Sequence, residues 1–207
     1  MKIKNELFYL INKFYSDRIY YSITVILGGS YMQKEDFDQI YRIMDESFPD
    51  AEKRNYADQF SLLKDEHCKV FVERNNQGEI IIFFTAWIFD DFCFGEHLAT
   101  DKRYRNLGLG SKFFSSCIEN LPKPIIIEVE PPETDIAKRR IELYKRLGFH
   151  LNTYNYKQPA LQAHTEPCDL LIMSNPLPIS KEEFIHYRNE IFNTVYKVSP
   201  SSLGLED

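Results

Sequence analysis

The chain has 207 residues, 43% of them hydrophobic and 27% charged, with a formal net charge of −6. That is the makeup of one soluble domain, and its basic residues form no extended stripe of the kind a nucleic-acid binder presents. Cys68, Cys93, Cys117 and Cys168 are far apart without C-x-x-C spacing, so they read as reduced packing residues of a cytoplasmic protein, not as a disulfide frame or a metal site.

Residues 1–31 read as an N-terminal extension carrying a first strand. Leu7, Leu10, Ile11 and Phe14 suit a short amphipathic helix. The apolar run 19–27 is too short to span a bilayer, and Lys13, Asp17 and Arg18 interrupt a signal-peptide pattern. The domain proper is expected over 32–196. Residues 34–48 form a helix with Phe37, Ile40, Tyr41, Met44 and Phe48 as its stripe, ended by Pro49. A second helix is expected over 51–64. Residues 68–73 and 79–87 read as a hairpin around Asn75-Asn76-Gln77-Gly78, with the next strand over 92–100.

A basic turn, a glycine corner and an amphipathic helix follow. Leu109, Phe113, Phe114, Cys117, Ile118 and Leu121 fall on one helical face, with Lys112, Ser115, Ser116 and Glu119 on the other. The helix starts at Gly108-Leu109-Gly110, so its first N–H groups lack intrahelical acceptors. With the positive end of the helix dipole they make an anion site, which the two glycines let a phosphate approach closely. Lys102, Arg103, Arg105 and Lys112 cluster there with only Asp101 against them in sequence.

Residues 125–130 (IIIEVE) are a buried strand. Residues 136–147 form a helix that Gly148 stops. The last two strands are expected over 149–156 and 169–174, joined by an exposed loop over 157–168 with two prolines. Ser180 and Glu183 set up a capping box for a helix reaching 195, and 197–207 reads as a flexible tail. Strands flanked by helices imply an α+β domain.

Three glycine corners compete for the central stretch. A Walker A loop requires Gly-Lys-Ser/Thr, but the order here is Gly110-Ser111-Lys112. A dinucleotide fingerprint requires a third glycine where Phe113 stands, although Glu128 lies where a ribose-binding acid would. The segment Arg105-Asn106-Leu107-Gly108-Leu109-Gly110 fits R-x-x-G-x-G in full. It resembles the pyrophosphate loop of the GNAT superfamily of N-acetyltransferases. His97-Leu98-Ala99-Thr100 upstream is similar to that family's splayed central strand, and the helix ending Tyr144-Lys145-Arg146-Leu147-Gly148-Phe149 is similar to its Tyr-x-x-x-Gly-Phe ending. The resemblance covers residues 33–175.

It implies a GNAT-like mixed, mostly antiparallel central sheet, flanked by helices and splayed between the central strands. It implies transfer of an acetyl group from acetyl-CoA to an amine of a small molecule or peptide by direct attack. Arg105, Asn106, Leu107, Gly108, Leu109, Gly110 and Ser111 would hold the pyrophosphate. The backbone of Leu98, Ala99 and Thr100 would pair with the pantetheine arm and offer an oxyanion donor. Tyr144 would protonate the leaving thiolate. The base stays open among Glu96, His97, Glu128, Glu130 and a water chain. Strand alternation keeps Glu96 and His97 from both facing the cleft. Ala137 stands where many members carry an Asn that touches the cofactor arm. Two alternatives remain: a CoA-binding sensor or interaction module of weak activity, and a dinucleotide-dependent oxidoreductase. The acidic balance favours a cationic amine such as a polyamine, an aminoglycoside or a peptide amine. No metal, nucleic-acid or membrane partner is expected, and a homodimer stays open.

Overall fold

The computed structural model describes residues 24–27 and 32–205. The helix expected over 7–14 lies outside them. Strand β1 (Thr24–Leu27) opens the described chain, followed by α1 (Lys34–Asp45), a 3-10 turn (Asp50–Glu52) and α2 (Tyr56–Leu62). Then come β2 (Cys68–Arg74), β3 (Ile80–Ile88), β4 (Cys93–Thr100), α3 (Leu109–Glu119), β5 (Ile125–Val129) and α4 (Asp135–Arg146). The chain continues with β6 (His150–Asn152), β7 (Lys157–Gln158), β8 (Cys168–Asp169), β9 (Leu171–Asn175) and α5 (Lys181–Ile191). One sheet runs in the order β1-β2-β3-β4-β5-β9-β6, and β7 and β8 make a separate two-stranded ladder. Within the large sheet only β4 and β5 pair in parallel. The mixed, mostly antiparallel α+β sheet is therefore the observed architecture.

Both sheet faces are covered, which explains the unbroken burial of the β3 run IIIFFTAW. On one face Phe37, Ile43, Trp87, Phe94 and Phe192 pack together; on the other, Phe84, Phe114, Ile127 and Phe149 do. Each such ring removed from water contributes roughly 2 kcal/mol.

The decisive feature is where β4 leaves β5. Their pairing covers Cys93, Gly95 and the residue between them, against Ile125 to Ile127. Gly95 is the last paired residue, and a Cβ there would meet Phe84 Cε2 at 2.9 Å and Ile127 Cγ2 at 3.1 Å. Immediately after it Thr85 pairs with His97 while Ala86 pairs with Gly95, so Glu96 is the extra residue of a β-bulge. The bulge turns β4 away from β5 and opens the sheet. It also breaks the alternation on which the sequence expectation rested: Glu96 and His97 both line the opening.

Several boundaries differ from the sequence reading for local reasons. The helix expected over 51–64 is broken. Lys53 is extended (φ −140°, ψ 153°), and Asn55 starts α2 by accepting the Asp58 N–H at 3.0 Å. A good N-cap in mid-segment competes with helix continuation. The loop over 157–168 is not a plain exposed connection: it holds the β7–β8 ladder, and Gln162 Nε2 donates to the carbonyls of Asp50 (3.2 Å) and Lys53 (3.0 Å). The strand expected over 149–156 shrinks to β6. The capping box at Ser180 and Glu183 forms, but α5 gives way to a π-helical turn over Phe192–Tyr196. In the expected tail Pro200–Leu203 form a 3-10 turn, and Leu205 is only 4% exposed.

Candidate active site

The opening between β4 and β5 is a cleft of about 560 Å³. The glycine corner and α3 stand at one end of its lining, β4 and β5 form its walls, and α4 covers it. Gly108 is the N-cap of α3 at φ +71°, a left-handed conformation in which a Cβ would touch nothing. Only backbone strain therefore reserves that position for glycine. Gly110 is different: a Cβ there would lie 2.8 Å from Thr100 Oγ1. Asn106 is also left-handed, at φ +64°. The corner thus presents the first α3 N–H groups to the cleft with no side chain in front of them.

Arg105 ties the corner to its neighbours. Its Nε donates to the Thr100 carbonyl and its guanidinium to Ser47 Oγ, each at 2.9 Å. Lys102, Arg103 and Lys112 are not among the residues lining the cleft. Lys102 reaches Glu46, and Arg103 reaches Asp101 and Glu79. Half of the cluster that looks nearly unopposed in sequence, Lys102 and Arg103, is matched in space, and of its four cations only Arg105 lines the cleft beside the amides.

Ile136, Arg139, Arg140, Leu143 and Tyr144 of α4 line the cleft at helical spacing. A Thr134 cap fixes the start of α4. Gly148 (φ +85°) closes it in a Schellman arrangement, in which the Phe149 and Gly148 amides donate to the Tyr144 and Lys145 carbonyls. That closure packs Phe149 on the Tyr144 ring at 5.8 Å, with Phe114 edge-on at 5.7 Å. The Tyr144 hydroxyl has no protein partner among the described residues. Burial pushes its pKa above the usual phenol value, Glu130 adding to and Arg140 opposing the shift.

The bulged residues are tightly held. Glu96 Oε1 accepts from Arg54 at 2.5 Å and Oε2 from Trp87 Nε1 at 2.8 Å. Burial pushes its pKa up, but Arg54, His97 and the Trp87 bond outweigh that and keep it below the usual carboxylate range. Glu96 is thus an ionised carboxylate with both oxygens engaged. His97 is 3% exposed; its Nε2 contacts the Glu52 carbonyl at 2.9 Å, while Nδ1 has no partner and lies 3.9 Å from Glu96 Oε2. A carbonyl only accepts, so Nε2 carries the proton and Nδ1 a lone pair. Burial lowers the His97 pKa, against the pull of Glu96, and the ring is neutral at pH 7.

Glu128 on β5 is a half-buried carboxyl in the cleft. Tyr196 bonds both its oxygens at 2.8 Å, and Tyr156 bonds Oε1. Burial pushes it up to about 7 despite those two hydroxyls. Glu130, in contrast, is paired with Arg140 at 2.5 Å, both about two-fifths exposed. The structure therefore brings the expected residues of the loop other than Leu107, which is exposed outside it, together with the β4 edge, Tyr144 and all four candidate bases to one cleft. Sequence reasoning missed Arg54, Trp87, Tyr156 and Tyr196. Their bonds span 9 to 68 residues and leave no periodic signal.

The family model of the acetyltransferase (GNAT) family matches residues 37–149. This chain belongs to that family. It is an acetyltransferase of the GNAT kind. A GNAT-family protein from Bacteroides thetaiotaomicron has a similar structure, with a TM-score of 0.73 and 26% identity over 87% of this chain and 100% of its own. The ribosomal-protein-S18-alanine N-acetyltransferase of Escherichia coli shares the fold at a TM-score of 0.55 and 22% identity, covering 78% of this chain and 97% of its own. A phosphinothricin acetyltransferase from Sinorhizobium meliloti, solved with acetyl-CoA, does so at 0.53 and 18% identity, covering 77% of this chain and 91% of its own. A search of curated proteins finds no match to the chain. Among the described residues no helix is long and apolar enough to cross a membrane, and no group of His, Cys, Asp or Glu is arranged to hold a metal ion.

Proposed function

We propose that this acetyltransferase acts on a primary amine by direct attack, with Glu128 as general base and Tyr144 as general acid. The observation that carries the reading is the pairing of these two groups in one cleft: a carboxyl pushed up to about 7 and a phenol kept protonated by burial. A base that titrates near the working pH combines availability with proton affinity. Glu128 takes a proton from the ammonium, whose ordinary pKa is about 10.4. The nitrogen forms a bond to the acetyl carbon, the carbon–sulfur bond breaks, and the sulfur leaves with the electron pair and the Tyr144 proton; the surplus proton on the nitrogen then passes to the Tyr144 phenolate, leaving a neutral amide and a neutral phenol.

The amides of the Gly108–Gly110 corner fit a diphosphate, because the glycines leave room and the helix dipole attracts the charge. Beyond Gly95 the β4 edge facing β5 has no strand partner, which suits Leu98, Ala99 and Thr100 to bind an extended amide-bearing arm. One of their N–H groups would stabilise the developing oxygen charge. Glu96, ionised and of low proton affinity, serves as a charged wall behind the reacting groups, with the neutral His97 ring beside it.

Thiol release from acetyl-CoA in the presence of an amine panel tests the reading. Release with a defined amine, lost in both Tyr144→Phe and Glu128→Gln, supports it. Acetyl-CoA binding without release from any amine would favour a CoA-binding sensor instead.

A further inference from the structure

The glycine corner has little of its own to hold it in place. Leu107 at its tip is 63% exposed, Asn106 and Gly108 are both left-handed, and Ser111 Oγ only turns back onto the Gly108 carbonyl at 2.9 Å. The direction of its amides is therefore set from its two ends, α3 after it and residues 101–105 before it.

The upstream end begins with an acid. Asp101 heads a basic run beside a site suited to an anion, where a free carboxylate would repel the ligand. Its side chain is instead fully buried. Its amide donates to the Ile81 carbonyl and its own carbonyl accepts the Tyr104 amide, each at 2.8 Å. Oδ1 accepts the Arg103 amide at 2.9 Å and Arg103 Nε at 3.1 Å. Oδ2 accepts the Arg103 guanidinium at 2.9 Å and that of Arg42, on α1, at 2.8 Å. Asp101 thus caps the 3-10 turn Lys102–Tyr104 and is neutralised by two guanidiniums. The hydrogen bonds from Arg103 hold its carboxyl well below the usual range, against burial.

Other ties reach the same segment. Just past the end of α1, Glu46 takes Lys102 at 3.2 Å and Ser47 takes Arg105 at 2.9 Å. From the β2–β3 turn, Glu79 meets Arg103 at 3.6 Å and Asn75 donates to the Tyr104 hydroxyl at 3.0 Å. The Glu46 and Glu79 ion pairs involve exposed cations and hold geometry weakly. A buried carboxylate bonded by guanidiniums holds it firmly, because removing either partner leaves the rest uncompensated.

We propose that Asp101 is the positioning residue of the diphosphate corner, and that through Arg42 it makes α1 part of the donor site. The inference rests on the reading of the corner given above and adds what aims it. Asp101 touches no ligand; it fixes the turn from which the corner's amides project.

Calorimetry with acetyl-CoA tests this, with S-acetylpantetheine at millimolar concentration as the probe that has the arm and thioester but no diphosphate. On the wild type, acetyl-CoA should bind at least about tenfold more tightly than S-acetylpantetheine. Asp101→Asn should weaken acetyl-CoA binding at least about tenfold and Arg42→Met about fivefold, through misplacement of the amides. Arg42→Lys should recover most of the loss, because a cation again faces Asp101. Adding Arg42→Met to Asp101→Asn should cost nothing further, since both act through one bond. Affinity within about twofold of wild type in either single variant overturns the positioning role and leaves the corner standing. So does an Arg42→Lys chain that binds as weakly as Arg42→Met, or a double variant in which the losses add. Acetyl-CoA that binds no more tightly than S-acetylpantetheine on the wild type overturns the corner itself. Should Asp101→Asn fold poorly, the two Arg42 variants still decide, because that side chain is half exposed.

Discussion

Tyr144 and Glu128 both sit half-buried in the cleft, and desolvation does opposite chemical work on them. It locks the phenol in its acidic form and lifts the carboxyl to where it can cycle. Tyr144→Phe removes one oxygen and keeps the ring contacts with Phe114 and Phe149. Expected is a fall in kcat of about 10²-fold with acetyl-CoA affinity within about threefold, measured by steady-state rates and equilibrium binding. Loss of binding instead would mean that the tyrosine packs against the donor and does not protonate it. Glu128→Gln should abolish the rising limb of the pH–rate profile near pH 7, because the base must be ionised to accept a proton. The remaining activity should be flat across that range.

At the scale of elements, the corner between β4 and α3 carries the strongest constraint. Gly110→Ala places a methyl 2.8 Å from Thr100 Oγ1, so strand and helix must separate. Acetyl-CoA affinity should drop at least about tenfold, and adding Thr100→Ala in the same chain should restore most of it. Unchanged affinity in the single variant would remove the corner from the binding site. This corner was legible in sequence because its parts are contiguous: glycines, an amphipathic helix and a following β-branched strand. Gly148 and the Ser180 capping box were legible for the same reason. The bulge at Glu96 was not, since it arises from registry with β3 and leaves no mark on the order of residues. Nor was the break at Lys53, where Arg54 gives up helical continuation for an ion pair with Glu96 across 42 residues. Glu73 on β2 is a further buried carboxyl without a role in the cleft, 5% exposed and pushed up to about 7 by burial. Its folded pKa exceeds the ordinary 4.5, so the stability it contributes is full below pH 4.5 and is lost as pH rises through 7. Glu73→Gln should therefore raise Tm at pH 8 by a few degrees, on the order of 1–2 kcal/mol, with no gain near pH 4.5, as read by calorimetry.

Across the whole molecule, the family match ends at residue 149, yet the chain beyond it reaches back into the site. Tyr156 and Tyr196 hold Glu128, and the Val195 carbonyl receives Arg54 at 3.0 Å. Arg54 lies over the Tyr196 ring at 5.7 Å while pairing with Glu96, so one guanidinium links the C-terminal turn to the bulge. Truncating that turn would remove too many contacts to be informative. Tyr196→Phe is the sharper change, because the ring keeps its packing on Phe94 and Phe192 and only the hydroxyl goes. That hydroxyl bonds the ionised form of Glu128 and so pulls its pKa down against burial. Its loss should move the rising limb of the pH–rate profile upward by about one unit. The variant should then run several-fold slower than wild type at pH 6.5 and converge with it above pH 8.5. A uniform loss at every pH would assign Tyr196 to packing alone. A displaced limb would make the C-terminal turn the part of the fold that sets when the base is ready.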